Sequence, residues 1–160
     1  MPAGAVDCLM GNHERMMIDC LSDGDELWLI NGGHETMASF GFDKGAPNIP
    51  GDVLAWLERR PTWREDALRI YVHAGLRPGV PVDKQRDRDR LWIREGFLDV
   101  DYDFGKHVIH GHTPSLIGPE RRPFRTNIDT GAVYGGALTA AVLDDRMPAP
   151  IDFFQVPAGP

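Results

Sequence analysis

The sequence is poor in cysteine and has no long apolar run. Only two cysteines, Cys8 and Cys20, occur in 160 residues, and neither lies in a Cys-x-x-Cys motif. This number is too small for a disulfide framework and favours a reducing compartment. No uninterrupted apolar run approaches about 18 residues, and the first ten residues lack a basic segment. We therefore expect a soluble, cytoplasmic protein.

The chain also lacks an excess of basic residues. Its 17 lysines and arginines stand against 24 acidic residues, a formal net charge of -7. This balance argues against non-specific binding to nucleic acid or to an anionic membrane. Hydrophobic residues make up 42% of the chain and charged residues 26%, as is typical of a globular protein. We expect one domain over residues 1–156, with a frayed tail at residues 157–160.

The stretch Gly11-Asn12-His13-Glu14 directly follows the apolar run Ala5 to Met10. The run predicts a strand, and the amphipathic segment from Met16 to Leu21 predicts a helix after a tight turn. Asn12 and His13 would then lie in the turn, where a rigid scaffold presents functional side chains. Asparagine offers an oxygen to a cation, and histidine offers a metal-binding or titratable nitrogen. The alternative is that Asn12 only caps the helix.

The first third of the chain is predicted to be helical. Short helices are indicated at Glu26–Ile30, ended by Asn31-Gly32-Gly33, and at Glu35–Phe40. A further helix is indicated at Val53–Arg60, with Asp52 as its N-cap.

From Leu68 onward the pattern predicts strands. Leu68, Ile70 and Val72 alternate with polar residues, which places His73 at the end of a strand. Further strands are predicted over residues 106–110, 125–129, 137–143 and 151–156. The stretch 84–90 alternates in charge sign and is interpreted as a solvated loop or helix start. Trp92, like the other tryptophans, is interpreted as a core or helix-packing residue.

Polar side chains thus follow predicted strands at four places. These are Asn12-His13, His73, His112 and Asp129. One histidine at a strand end is usually structural, whereas three such positions in a short chain favour a shared site. Two imidazoles and an amide oxygen suit manganese, iron or zinc better than calcium or magnesium.

Blocks of the sequence, taken in order, resemble those of the calcineurin-like metallophosphoesterases. They are Gly11 to Glu14, Tyr71 to Pro78, Leu91 to Glu95 and His110 to Pro114. The last block, Asn127 to Gly136, resembles that of the bacterial serine/threonine phosphoprotein phosphatases. The blocks are similar also to those of the symmetrical diadenosine-tetraphosphate hydrolases.

The resemblance implies an α/β fold with two stacked mixed β-sheets flanked by helices and a metal site at strand ends. In that family two divalent metal ions activate a water that attacks phosphorus. The implied ligands of the second metal are Asn12, His73 and His112. Manganese is the expected metal, with iron or zinc as alternatives. His110 is not at the family's ligand position, and we expect a structural role for it.

The resemblance also implies the residues that act on the phosphate. His13 would be the general acid that protonates the departing oxygen, and Arg94 would bind the phosphate through its guanidinium fork. Tyr134 would lie beside the bound phosphate. The implied function is hydrolysis of phosphomonoesters in phosphoproteins or small phosphoesters. The alternatives are symmetrical cleavage of dinucleoside polyphosphates, or a non-catalytic remnant that binds one metal or a partner.

Two motifs of the family are lacking from the 160 residues. An Asp-x-His strand end and a Gly-Asp-x-x-Asp-Arg-Gly turn precede Gly-Asn-His-Glu in that family, and neither occurs here. They supply the ligands of the first metal, the bridging Asp, the carboxylate that orients the general acid, and a second phosphate-binding Arg. We therefore expect an N-terminally truncated domain that holds at most one metal and has very little phosphatase activity by itself.

Overall fold

The computed structural model describes residues 6–41 and 48–159. The chain divides into two compact units, residues 1–61 and 62–160. In the described part the first unit is helical, as the sequence predicts, and all strands lie in the second unit. The single domain expected over residues 1–156 stays a prediction. No described helix has the length and apolar character needed to cross a membrane.

Helix α1, Asn12–Asp23, opens the first unit. Gly11 is its N-cap, and the Gly11 N–H donates to the Glu14 carboxylate over 2.8 Å. Asn12 is therefore the first helical residue and not the cap, and its side chain is buried. The helix ends at Gly24, whose φ of 77° is left-handed and therefore suits glycine.

The strand predicted at Ala5–Met10 is wrong for residues 6–10, which are irregular. Ala5 itself lies outside the described residues. The Met10 N–H donates to the Pro61 carbonyl over 2.9 Å, a single bond and not a strand ladder. Burial accounts for the apolar character of Met10, which is 5% exposed, whereas Val6 at the start of the run is 86% exposed.

The predicted break at Asn31-Gly32-Gly33 is a kink and not a helix end. A π-helical turn over Leu29–Gly33 continues directly into α2, His34–Ser39. Asn31 and Gly32 leave helical geometry, with Gly32 at a φ of 92°, but the helix resumes after them. Gly33 packs so closely on Trp28 that a Cβ there would lie 2.7 Å from the indole.

Helix α3 spans Gly51–Glu58 and begins earlier than predicted. The Pro50 carbonyl accepts the N–H groups of Val53 and Leu54, so Pro50 occupies the cap position expected for Asp52. Asp52 lies in the first turn instead, where a carboxylate complements the helix dipole. The core of the first unit is formed by Met16, Met17, Trp28, Met37 and Ile49.

The second unit is built on a five-stranded mixed sheet. Its strands are β1 Trp63–Glu65, β2 Arg69–Val72, β3 His107–His110, β4 Glu120–Arg121 and β5 Arg125–Asn127. The order is β1-β2-β3-β5-β4, with β2, β3 and β5 parallel and the two outer strands antiparallel. The short outer strands β1 and β4 were not predicted from the sequence.

Side chains from the segment that follows β2, which contains a helix, pack in the core of this sheet. Helix α4, Asp87–Trp92, begins within the 84–90 stretch predicted as a loop or helix start and continues two residues beyond it. The buried cluster consists of Ile70, Val72, Ala74, Leu76, Ile93, Phe97 and Val108.

A second sheet is the antiparallel hairpin of β6, Ala137–Asp144, and β7, Met147–Pro157. Arg69 joins the two sheets, because its guanidinium is 2% exposed and donates to the Pro148 carbonyl over 3.0 Å. It also donates to the carbonyls of Asp144 and Met147. The α/β class with two sheets is as predicted.

The predicted frayed tail begins too early. Pro157 still pairs with Ala137, and the Ala158 N–H donates to the Gly136 carbonyl over 2.8 Å. These backbone bonds order the start of the segment expected to be frayed.

Candidate metal and phosphate site

Three parallel strands end at one edge of the five-stranded sheet, and each is followed by a polar residue of the expected site. His73 follows β2, His112 follows β3, and Asp129 follows β5. The backbone fixes the strand ends together, because the Gly111 N–H donates to the His73 carbonyl over 2.9 Å. The carboxyl ends of parallel strands in α/β sheets are the usual place for ligand sites.

The structure brings the His73 and His112 rings into contact. Nε2 of His73 lies 3.2 Å from Nδ1 of His112, and the ring centroids are 5.0 Å apart at an interplanar angle of 60°. Two nitrogen ligands at about 2.0–2.1 Å from a tetrahedral ion lie about 3.3 Å apart. The observed separation therefore fits a pair of imidazoles that bind one transition-metal ion.

The backbone at His112 is strained. Its φ of 69° makes it the one non-glycine residue with a left-handed backbone in the described part of the chain. Such a conformation costs energy for a residue with a Cβ and concentrates at functional sites. The strain supports a functional role for the His112 side chain.

Gly111 allows the strand ends to approach. A Cβ at this position would lie 3.3 Å from Cβ of Asp129 and 3.8 Å from the His73 carbonyl oxygen. The Asp129 carboxylate accepts from the Gly131 N–H over 3.0 Å, and its own N–H donates to Oδ1 of Asn127 over 3.0 Å. Asp129 is thus held in place by its own loop.

His110 is buried and neutral. Burial first, and then the nearby Arg125 guanidinium, lower the pKa of His110 to about 4. Its Nε2 lies 3.2 Å from Nη1 of Arg125, and its ring packs edge-on against Phe97 with centroids 4.9 Å apart. These contacts agree with the structural role predicted for His110.

Trp92 has a role that the sequence interpretation missed. Its ring packs edge-on against His112, with centroids 5.9 Å apart and an interplanar angle of 84°. It is also 36% exposed, so it is not the simple core residue expected. The Trp-Ile-Arg block carried the only sequence signal that Trp92 belongs to the site.

Arg94 and Tyr134 are both accessible to a ligand. Arg94 follows α4 and lines a cavity of about 880 Å³ together with Trp92. Tyr134 lies in a short 3-10 turn, Ala132–Tyr134, and its side chain is 73% exposed. Their predicted contacts with a phosphate stay predictions.

Asn12 and His13 lie at the start of α1 in the first unit. Asn12 is buried and His13 is exposed. Their implied roles as metal ligand and general acid also stay predictions. Within the described residues, no group of three or more His, Cys, Asp or Glu side chains could hold a metal ion. In that part of the chain, acidic and cysteine side chains therefore add no third ligand to the histidine pair.

Known proteins similar to this chain indicate its family. No protein-family model matches the chain. The chain is 34% identical over 144 residues to serine/threonine-protein phosphatase 1 of Salmonella typhimurium, which covers 82% of this chain and 63% of that protein. It is 28% identical over 115 residues to the asymmetrical bis(5'-nucleosyl)-tetraphosphatase PrpE of Anoxybacillus flavithermus, covering 61% of this chain and 46% of that protein. This chain belongs to the calcineurin-like metallophosphoesterases.

A solved structure supports the fold of this metallophosphoesterase. A crystal structure described as a candidate diadenosine tetraphosphatase matches it with a TM-score of 0.66 at 22% identity, over 96% of this chain and 69% of that chain. Together with the two relatives above, it confirms the family resemblance of the sequence blocks. The chain spans 63% of the length of the Salmonella phosphatase and 46% of that of the Anoxybacillus protein.

Proposed function

We propose that this metallophosphoesterase hydrolyses phosphate esters with a divalent metal ion held by His73 and His112. The observation that carries the proposal is the 3.2 Å approach of the two imidazole nitrogens at the edge of the parallel strands. The strained backbone of His112 supports it. The relatives add support, because their names describe phosphatases or nucleoside tetraphosphatases.

The chain's own residues would divide the work as follows. His73 and His112 would present unprotonated nitrogens to a metal ion, which when bound polarises the phosphoryl group and activates water. Arg94 would hold the phosphate through charge-assisted hydrogen bonds. Asn12 as a further ligand, His13 as general acid and Tyr134 beside the phosphate complete the proposal. Manganese is the proposed metal.

The proposed substrate class is the phosphoserine or phosphothreonine of proteins, or a small phosphomonoester. The Salmonella relative, at 34% identity, supports it. Cleavage of dinucleoside polyphosphates is the second candidate, because PrpE is named as an asymmetrical tetraphosphatase. The sequence resemblance implies symmetrical cleavage, so the products would also identify the phosphate at which cleavage occurs.

The experiment is hydrolysis of p-nitrophenyl phosphate by the purified chain with manganese, beside the His73→Ala variant. Exposed His34 provides the matched control, His34→Ala. Weak manganese-dependent turnover that disappears in His73→Ala and persists in His34→Ala supports the proposal. No turnover by the folded chain contradicts the proposal and favours the non-catalytic remnant. Equal turnover in all three proteins contradicts the assignment of the metal ion to His73. A phosphoserine peptide and diadenosine tetraphosphate, compared by product analysis, separate the two substrate classes.

A further inference from the structure

A basic cavity lies beside the histidine pair, and Trp92 borders both. We propose that this cavity binds a chain of linked phosphate groups. The inference deepens and rests on the proposed phosphoester hydrolysis, since the cavity would hold the phosphates that do not react. Its basic lining residues are Arg77, Lys84, Arg86, Arg88 and Arg94.

The size of the cavity suits a small ligand. Its volume is about 880 Å³. Small-molecule sites usually measure roughly 300–1,000 Å³. Trp92 forms part of the wall and also contacts the His112 ring. Trp92 is therefore the residue that connects the cavity with the histidine pair.

The charge of the lining opposes the charge of the chain as a whole. Five basic side chains line the cavity against two acidic ones, Asp89 and Glu95, although the whole chain has a net charge of -7. A concentration of one sign in a concave surface focuses the electrostatic potential. The cavity would attract an anion even though the protein is acidic.

Several of these cations are available to a ligand. Arg77 is paired with Asp89 over 3.0 and 2.5 Å, and Lys84 is paired with exposed Asp83 over 3.3 Å. The other three basic residues of the cavity, Arg86, Arg88 and Arg94, form no ion pair within the described residues. Three guanidinium groups therefore face the cavity without a carboxylate partner in that part of the chain.

Buried polar groups hold the cavity wall in place. Gln85 is 6% exposed, and its Oε1 accepts the Arg77 N–H over 2.8 Å. Its Nε2 donates to the carbonyls of Arg77 and Val80 over 2.8 and 2.9 Å. Asp89, also buried, anchors the Arg77 guanidinium. This part of the wall is thus set before a ligand binds, which reduces the entropic cost of binding.

The chemistry of the arginines favours linked phosphates over a single phosphate. A guanidinium fork matches the oxygens of one phosphate group. If Arg94 binds the reacting phosphate, Arg86 and Arg88 have no ligand group to bind in a simple phosphomonoester. A second and a third phosphate in the same chain supply those groups. The same chemistry occurs in inorganic polyphosphates and in nucleoside polyphosphates.

The test is calorimetric titration of the chain, treated with a chelator to remove metal, with inorganic tripolyphosphate and with orthophosphate. Arg86→Gln and Arg88→Gln each remove one cavity charge. Arg146→Gln removes one charge elsewhere in the same unit, at a side chain that is 87% exposed. Thermal unfolding of each variant verifies that it is folded.

We expect tripolyphosphate to bind more tightly than orthophosphate. Arg86→Gln and Arg88→Gln should each weaken tripolyphosphate binding by about tenfold, whereas Arg146→Gln changes it by less than about twofold. If diadenosine tetraphosphate binds more tightly than tripolyphosphate, the ligands of the site are nucleoside polyphosphates. If the two ligands bind equally tightly, the site recognises the phosphate chain alone. Both results support the proposal.

Other outcomes overturn it. Equal affinity for tripolyphosphate and orthophosphate would do so, as would cavity variants that bind like the parent chain. An acidic peptide that binds as tightly as tripolyphosphate would indicate a protein ligand instead. Because binding is measured without metal and turnover with manganese, the two proposals can fail separately. Tripolyphosphate binding without any hydrolysis of p-nitrophenyl phosphate rejects only the proposed function.

Discussion

His73 and His112 face each other across 3.2 Å between Nε2 of the first ring and Nδ1 of the second. They follow two neighbouring parallel strands, so the sheet register sets their separation. Two protonated rings would repel each other at this distance, and a metal ion requires both facing nitrogens to be unprotonated. We therefore expect metal binding to weaken as the solution becomes more acidic, because protons compete with the metal ion for these two nitrogens.

The backbone strain at His112 can be measured with two variants that both remove the ring. His112→Gly should be more stable than His112→Ala by about 1 kcal/mol, because glycine adopts a left-handed backbone without the cost of a Cβ. The observed φ is 69°. Urea unfolding of the two variants gives the difference. Equal stability would show that residue 112 does not need the left-handed conformation.

Substitution of the buried Arg69 should destabilise the protein even when the new residue is lysine. Its guanidinium donates to three carbonyls of the β6–β7 hairpin. Lysine cannot reproduce this geometry, and each hydrogen bond to a charged group contributes about 1.5–3 kcal/mol. Arg69→Lys should therefore lower the free energy of unfolding by about 2–3 kcal/mol.

Arg146→Lys is the matched control for Arg69. The Arg146 side chain is 87% exposed, so this substitution should change stability by less than about 0.5 kcal/mol. Urea denaturation measures both variants. A loss of similar size in both would mean that Arg69 does not join the sheets as the contacts indicate.

His107 predicts a pH dependence of stability. Its pKa is lowered from the usual value, first by burial and second by the positive charge of Arg69. As the pH falls below about 6.5, the unfolded chain binds a proton at this residue before the folded chain does. Stability is therefore lost as the solution becomes more acidic.

His107→Gln removes this titration, and its stability should fall less between pH 7.5 and pH 5.5 than that of the parent chain. His110, the other buried histidine of the described residues, contributes to both proteins, so the difference isolates residue 107. Urea unfolding at the two pH values measures it. Parallel losses in the two proteins would be inconsistent with a lowered pKa at His107.

A substitution at Gly75 tests the core packing next to His73. A Cβ at Gly75 would lie 2.3 Å from Cδ1 of Phe97, a ring that is 1% exposed. Gly75→Ala should lower the free energy of unfolding by about 1–3 kcal/mol, because the core must shift to admit the methyl group. Gly51, at the start of α3, has no atom near its Cβ position. Gly51→Ala should be neutral or stabilising, and similar losses in both variants would contradict the close packing.

The strand-end residues of the second unit were predictable because their patterns are strong. Alternating apolar residues located β2 and placed His73 directly after it. The Gly-His pair located the end of β3 in the same way. Parallel pairing then brings His73 and His112 together, a consequence of topology that the sequence only implies through its resemblance.

Other features depend on long-range contacts that local patterns do not contain. Arg69 occupies a polar position in the strand alternation, yet it is buried by carbonyls from the hairpin some 75 residues away. The alternating charges of the 84–90 stretch predict a solvated loop or helix start. In the structure Asp89 and Arg90 are buried, while Arg86 and Arg88 line the basic cavity.

The most direct test of the account is calorimetric titration of the chain with manganese. The parent chain should bind one ion, and His73→Ala and His112→Gly should each weaken binding by at least about 100-fold, since even loss of an outer-shell partner costs about 10–100-fold. Exposed His34→Ala should bind like the parent. Manganese binding that is unchanged in His73→Ala and His112→Gly would contradict the account, as would its absence from the folded parent chain.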